Sequence, residues 1–173
     1  MNDRELRKAL AELGLPRRRR VSAQELATAL AAHRGRPLHL RAVDFPPKAN
    51  GGVVRTRKFD LLCYPKNGWP IERRNAFAHE ISHLLLDHTG VSLHSQDVLR
   101  SLLAPNIAPE VASRLLCRTE MDTPEEQDAE TTGMHLARHH LTYELPDRAW
   151  GATPEQQGVV RGLLHSLNLN EVL

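Results

Sequence analysis

The feature that most constrains the fold is a run of helical periodicity from Pro70 to Asp87. A proline stands in its first turn and Gly90 follows its end, as is typical of helix termini. On a helical wheel, the apolar side chains of this run form one stripe, which includes Phe77, Ile81 and Leu84. We therefore expect a helix that is buried along one side and faces a cleft along the other.

The side of this helix opposite the apolar stripe carries the pattern His-Glu-x-x-His. His79 and His83 are four residues apart, so their imidazoles lie one above the other and can bind one Zn²⁺. Glu80 is placed to act as a base toward water at the metal. We predict one Zn²⁺ per chain, bound by His79 and His83, with Glu80 as the catalytic base. The alternative is a pair of surface histidines on an amphipathic helix.

A catalytic zinc site needs a third protein ligand, and the best candidate is in an acidic helix start further along the chain. Glu126 shares a helix face with the small residues Ala129 and Gly133, which allow this helix to pack closely on a neighbour. We predict Glu126 as the third ligand and expect Glu125 and Glu130 to contribute little. The alternative is that these acids only favour the helix N-terminus.

Other histidines offer competing interpretations. His135 and His139, with His140 adjacent, lie opposite Glu126 on their helix and lack an intervening glutamate, so we expect them to be solvated. His88 falls on the apolar stripe and is expected to be a core histidine. Asp87 is either an acid that orients the second histidine of the motif or a plain surface acid.

The remaining periodicity predicts the rest of the fold. Further helices are expected at 3–13, 22–35, 95–103, 109–117, 123–141 and 153–167, and strands at 37–43, 53–57 and 60–64. We predict an α+β fold that is mostly helical, with a zincin-like active-site helix packed on a small antiparallel three-stranded sheet. We divide the chain into an N-terminal helical arm (1–35), a metallopeptidase core (36–145) and a C-terminal helix that packs on it (146–173).

Composition narrows the class of protein. The 173 residues include 27 leucines but seven aromatic residues, which favours a helical core of aliphatic side chains. No apolar run approaches the about 20 residues that span a bilayer, and the start MNDRELRK lacks the apolar stretch of a secretory signal. Cys63 and Cys117 are too few for a disulfide scaffold and lack the spacing of a thiolate zinc site. These features predict a cytoplasmic protein that does not enter a membrane.

Charge is distributed unevenly along the chain. The net charge of +2 combines +10 over residues 1–74 (17 basic, 7 acidic) with −8 over residues 75–173 (6 basic, 14 acidic). The run Arg17 to Arg20 suggests nucleic-acid binding, but no aromatic residue interleaves with these arginines. We therefore expect a dipolar surface and regard direct nucleic-acid binding as the weaker alternative.

Two segments resemble motifs of the ImmA/IrrE family of bacterial metallopeptidases. RRNAFAHEISHLLLDH resembles the motif helix of the family, and EEQDAETTGMHLA resembles its second motif, a Glu-x-x-Ala helix whose glutamate is the third zinc ligand. The second motif carries over onto Glu126 and Ala129. The resemblance covers about residues 24–141 and is to short actinobacterial members. The chain departs from the family in a long gap between His83 and Glu126, and in Gly133 and His135 within the second motif.

The resemblance implies a cytoplasmic zinc endopeptidase with a gluzincin-like third ligand. Its expected partner is a helix-turn-helix repressor, whose cleavage would control stress, phage or mobile-element genes. The alternative is a catalytically weak, zinc-containing regulatory module that acts through protein–protein contact, although an intact Glu80 disfavours it.

Tyr64 and Tyr143 are candidate hydrogen-bond donors to the transition state.

Overall fold

The computed structural model describes residues 1–16, 19–45, 50–55, 58–88, 123–142, 144–146, 154–166 and 170–171. The helices are α1 (Asp3–Glu12), α2 (Ala23–Arg34), α3 (Pro70–Leu85), α4 (Pro124–His135) and α5 (Pro154–Ser166), and a short π-helix (Leu136–His140) continues α4. The strands are β1 (Leu38–Asp44), β2 (Gly52–Arg55), β3 (Asp60–Pro65) and β4 (Asn170–Glu171). The predicted α+β class is confirmed.

Helix termini follow the signals in the sequence. At α2, the Ser22 hydroxyl accepts from the Glu25 N–H at 3.2 Å, and the Glu25 carboxylate accepts from the Ser22 N–H at 2.8 Å. Gly35 ends this helix at a φ of 64°, a conformation that residues with a Cβ rarely adopt. Prolines are the first residues of α3, α4 and α5, as expected.

The strand directions in the sheet correct the prediction. The strand order is β2-β3-β1-β4, and β1 is parallel to β3, with Leu40 opposite Leu62. β2 and β4 are antiparallel to their neighbours. The expected antiparallel three-stranded sheet was therefore wrong, because after β1 the chain forms the outer strand β2 and then returns through β3. Alternation along a strand predicts which face a side chain occupies, but not which strand lies beside it.

The sheet and α3 share one apolar core. Tyr64 of β3 meets Phe77 of α3 edge to face, with ring centroids 5.8 Å apart. Leu40 and Leu62 are fully buried in the same cluster as Ile81. The opposite face of β1 is buried too, since His39 and Arg41 are at most 1% exposed. This packing fixes α3 on the sheet, so that its non-core side is turned away from β3.

The basic run contributes to folding where the structure describes it. Arg19 pairs with Glu25 at 2.5 Å. Arg20 donates to the carbonyl oxygens of Arg138 at 2.7 Å and Leu141 at 3.0 Å, and so ties the segment before α2 to the end of the π-helix. These contacts supply a structural reason for two of the four arginines.

Several predictions fall on residues outside the described ranges. These are the helices at 95–103 and 109–117, together with Arg17, Arg18, Cys117 and Tyr143. Among the described helices, none has the length and apolar character needed to cross a bilayer.

Candidate metal centre

Helix α3 carries the two histidines of the motif on the side away from its apolar stripe. Phe77 and Ile81 are fully buried, as the helical wheel predicts. His79 is 22% exposed and His83 is 3% exposed, so the first lies at the rim of the site and the second at its floor. The amphipathic pattern of the helix thus keeps both imidazoles off its apolar stripe.

Helix α4 brings Glu126 to these histidines. Thr123 caps the helix, because its hydroxyl accepts from the Glu126 N–H at 3.2 Å. The Glu126 side chain is only 11% exposed, whereas Glu125 is exposed to solvent. Ala129 and Gly133 are buried on the same face as Glu126, as predicted. The face of small residues therefore lets α4 pack on α3 with Glu126 turned inward.

The three predicted ligands converge on one point. The Nε2 atoms of His79 and His83 are 3.2 Å apart, and Oε1 of Glu126 is 2.8 Å from the first and 3.6 Å from the second. With bonds of about 2.0–2.1 Å, the donors of a tetrahedral zinc site are about 3.3–3.4 Å from one another. The three observed separations lie on both sides of this value, from 2.8 to 3.6 Å, and the donors are two nitrogens and one oxygen, a set that zinc accepts.

Glu80 lies between the two histidines in sequence and is partly buried. Its carboxylate rests against the backbone at Gly51, just before β2. A Cβ added at Gly51 would be 2.5 Å from Oε1 and 2.7 Å from Cγ of Glu80. Only glycine therefore leaves room for the Glu80 side chain in this position. Gly51 lies in the turn signal Asn50-Gly51-Gly52, and that signal does not indicate this contact.

Glu130 is a site residue that sequence reasoning missed. Its Oε2 lies 3.1 Å from Nδ1 of His79, the ring nitrogen that does not face Glu126. A carboxylate in this position orients a ligand histidine and fixes its tautomer. The available signal was the spacing of Glu126 and Glu130, since residues four apart share a helix face.

His88 and Asp87 differ from expectation. His88 is partly buried and its Nδ1 lies 3.0 Å from Nδ1 of His83, so it contacts the site rather than only the core. Asp87 does not take the role of orienting His83. Its carboxylate accepts from Arg34 and Arg55 at 3.0 Å each. The hydrogen bond from Arg34 holds the pKa of Asp87 below its ordinary value.

The competing candidates lie elsewhere. The rings of His135 and His139 stack with centroids 6.3 Å apart, and His139 is exposed. His140 is buried and contacts Asp3 at 3.1 Å. Tyr64 is fully buried, and its hydroxyl donates to the carbonyl oxygen of Pro146. This bond gives Tyr64 a structural role rather than the suggested role in the transition state.

His79, His83 and Glu126 are the single group of three or more His, Cys, Asp or Glu donors that could share a metal within the part of the chain that the structure describes. No family model, curated protein or solved structure matches the chain.

Proposed function

We infer that the protein is a zinc-dependent endopeptidase. The observation that carries this inference is the convergence of His79, His83 and Glu126 within 4.8 Å. Glu80 directly follows His79 in the sequence of α3. Two imidazoles and one carboxylate leave a fourth position of a tetrahedral metal open, which is the arrangement of catalytic rather than structural zinc.

The residues divide the chemistry among them. His79, His83 and Glu126 would hold the metal. Bound zinc would supply a Lewis acid and would lower the pKa of a water molecule. Glu80 is the proton carrier: its carboxylate accepts a proton from the attacking water and delivers it to the nitrogen of the leaving amine. The contact with Gly51 restricts where that carboxylate can lie.

The proposed place for an extended substrate is the edge of the sheet. Among the described strands, β2 lies at one edge and pairs only with β3. An added peptide strand can form backbone hydrogen bonds with such an edge. Because Gly51 precedes β2 and touches Glu80, a peptide along β2 would pass the catalytic base.

The proposed substrate follows from the resemblance of the two motifs to the ImmA/IrrE family. This resemblance implies that the substrate is a helix-turn-helix repressor, whose cleavage would relieve repression of stress, phage or mobile-element genes. Cleavage in the cytoplasm is part of the same proposal. The resemblance also supports Glu126 as the third ligand independently of its position in the structure.

The experiment is co-expression with each helix-turn-helix repressor that a neighbouring gene encodes, with the length of the repressor followed on a gel. Wild-type protein should shorten the repressor, and Glu80→Gln should leave it intact. The matched control is Glu125→Gln, which changes an exposed acid on α4 and should leave cleavage of the repressor normal.

A different result would favour the binding-module alternative. If wild type and Glu80→Gln both relieve repression while the repressor keeps its full length, the protein acts by contact rather than by cleavage. The endopeptidase proposal would then be wrong.

A further inference from the structure

The end of α3 closes in an unusual turn. The His88 N–H donates to the carbonyl oxygen of His83 at 2.9 Å, and the Asp87 N–H donates to that of Leu84 at 3.3 Å. This pair of bonds is the Schellman motif, which normally has glycine at the residue with positive φ. Here that residue is Asp87, with a φ of 51°. A residue with a Cβ costs about 1–2 kcal/mol in this conformation, so other contacts must hold the turn.

Two arginines supply those contacts. Arg34, from the end of α2, and Arg55, from β2, each donate to Oδ1 of Asp87 at 3.0 Å. Arg55 also donates to the carbonyl oxygen of His88 at 2.9 Å, and Arg34 to that of Leu84 at 3.1 Å. Arg34 and Arg55 are only 12% and 16% exposed. The turn is thus clamped from two neighbouring elements.

The clamped turn folds the His88 ring back onto His83. Their Nδ1 atoms are 3.0 Å apart, while Nε2 of His83 faces His79 and Glu126. Two neutral imidazole nitrogens at this distance form a hydrogen bond only if one carries the proton. Because Nε2 of His83 must keep its lone pair to bind a metal, Nδ1 of His83 donates and Nδ1 of His88 accepts.

We propose that His88 is a positioning residue for the ligand His83, placed by the Arg34–Asp87–Arg55 cluster. The proposal rests on the proposed zinc site. Ligand histidines usually donate their second ring N–H to an oxygen acceptor, which fixes the tautomer and the ring orientation. In this chain the acceptor for the second ring N–H of His83 is Nδ1 of His88, and the acceptor for that of His79 is the carboxylate of Glu130.

The test compares zinc affinity in competition with a chromophoric chelator. His88→Phe keeps a ring but removes the acceptor, and should weaken zinc binding about 10–100-fold. His88→Asn keeps an acceptor near the position of Nδ1 and should bind zinc close to the wild-type affinity. His139→Phe, the same change at an exposed histidine, is the control and should bind as wild type does. Equal affinity of His88→Phe and wild type would overturn the proposal.

A measurement on the wild type keeps the test independent of how well the variants fold. In the ¹⁵N-labelled, zinc-loaded protein, scalar coupling across the hydrogen bond should link Nδ1 of His83 to Nδ1 of His88. Absence of that coupling, with both rings assigned, would overturn the proposal while leaving the zinc site intact. A wild-type protein that binds no zinc would instead overturn the proposed function, and this inference with it.

Discussion

Gly133 of α4 lies directly against the backbone of His79 in α3. A Cβ added at Gly133 would be 3.0 Å from N of His79 and 2.9 Å from its Cα, and the second distance is shorter than real Cβ atoms show. The two helices therefore meet backbone to backbone at His79, about two turns of α4 beyond Glu126. This approach is what brings Glu126 within 2.8 Å of His79.

Gly133→Ala should therefore separate α4 from α3. We expect a loss of about 1–3 kcal/mol in the free energy of unfolding, typical of overpacking, together with weaker zinc binding. Gly158→Ala on α5 is the matched control, because its Cβ would meet no atom of the described residues within 4 Å. That control should gain about 0.5–1 kcal/mol through helix propensity. Urea unfolding of both variants checks the prediction, and equal effects would contradict it.

Gly51→Ala should displace the Glu80 carboxylate without removing a metal ligand. The new Cβ would overlap Oε1 and Cγ of Glu80, so the side chain must move. We expect zinc content to stay at the wild-type level, while repressor cleavage falls toward the about 10²–10⁴-fold loss seen when a general base is removed. Full cleavage by Gly51→Ala would show that this contact does not position the base.

Glu130→Ala should loosen the orientation of His79. The carboxylate of Glu130 contacts Nδ1 of His79 but is 62% exposed, so solvent screens the interaction. Loss of a residue that hydrogen-bonds to a metal ligand typically lowers metal affinity about 10–100-fold. For Glu130→Ala we expect the lower end of this range, a loss of about 10-fold in zinc affinity. Chelator competition measures it, with Glu125→Ala as the control. Identical zinc affinities of Glu130→Ala and Glu125→Ala would show that Glu130 does not orient His79.

Acid should weaken the contact between α1 and the π-helix. The hydrogen bond with His140 holds the pKa of Asp3 below its ordinary value of 3.8. A carboxyl with a lowered folded pKa stabilises the fold above its unfolded pKa, and that stabilisation is lost as pH falls through the folded value. Asp3→Asn should therefore be less stable than wild type at neutral pH, and the difference should shrink below pH 3.8. A difference that is constant across this range would contradict the assignment.

Local signals made much of the fold predictable. The Ser22–Glu25 capping box and Gly35 marked both ends of α2, because caps depend on a few neighbouring residues. Helical periodicity likewise placed Glu126, Ala129 and Gly133 on one buried face. These predictions succeeded because they need only positions along one helix.

Contacts between distant segments were not predictable in the same way. The parallel pairing of β1 with β3 depends on the path of the intervening chain. The contact between Gly51 and Glu80 links the residue before β2 to α3. The turn at Asp87 lacks the glycine that usually signals it, and is held instead by Arg34 and Arg55 from other elements. Each feature depends on partners that the local pattern does not contain.

Zinc content of the purified protein tests the central claim most directly. After zinc is supplied and the excess removed, we expect about one zinc per chain in the wild type, as a three-ligand catalytic site holds. His79→Ala and His83→Ala should retain none, and Glu126→Ala should retain far less than Glu125→Ala. Wild-type protein without zinc, or equal retention by the Glu126 and Glu125 variants, would contradict the assignment of these residues as the metal site.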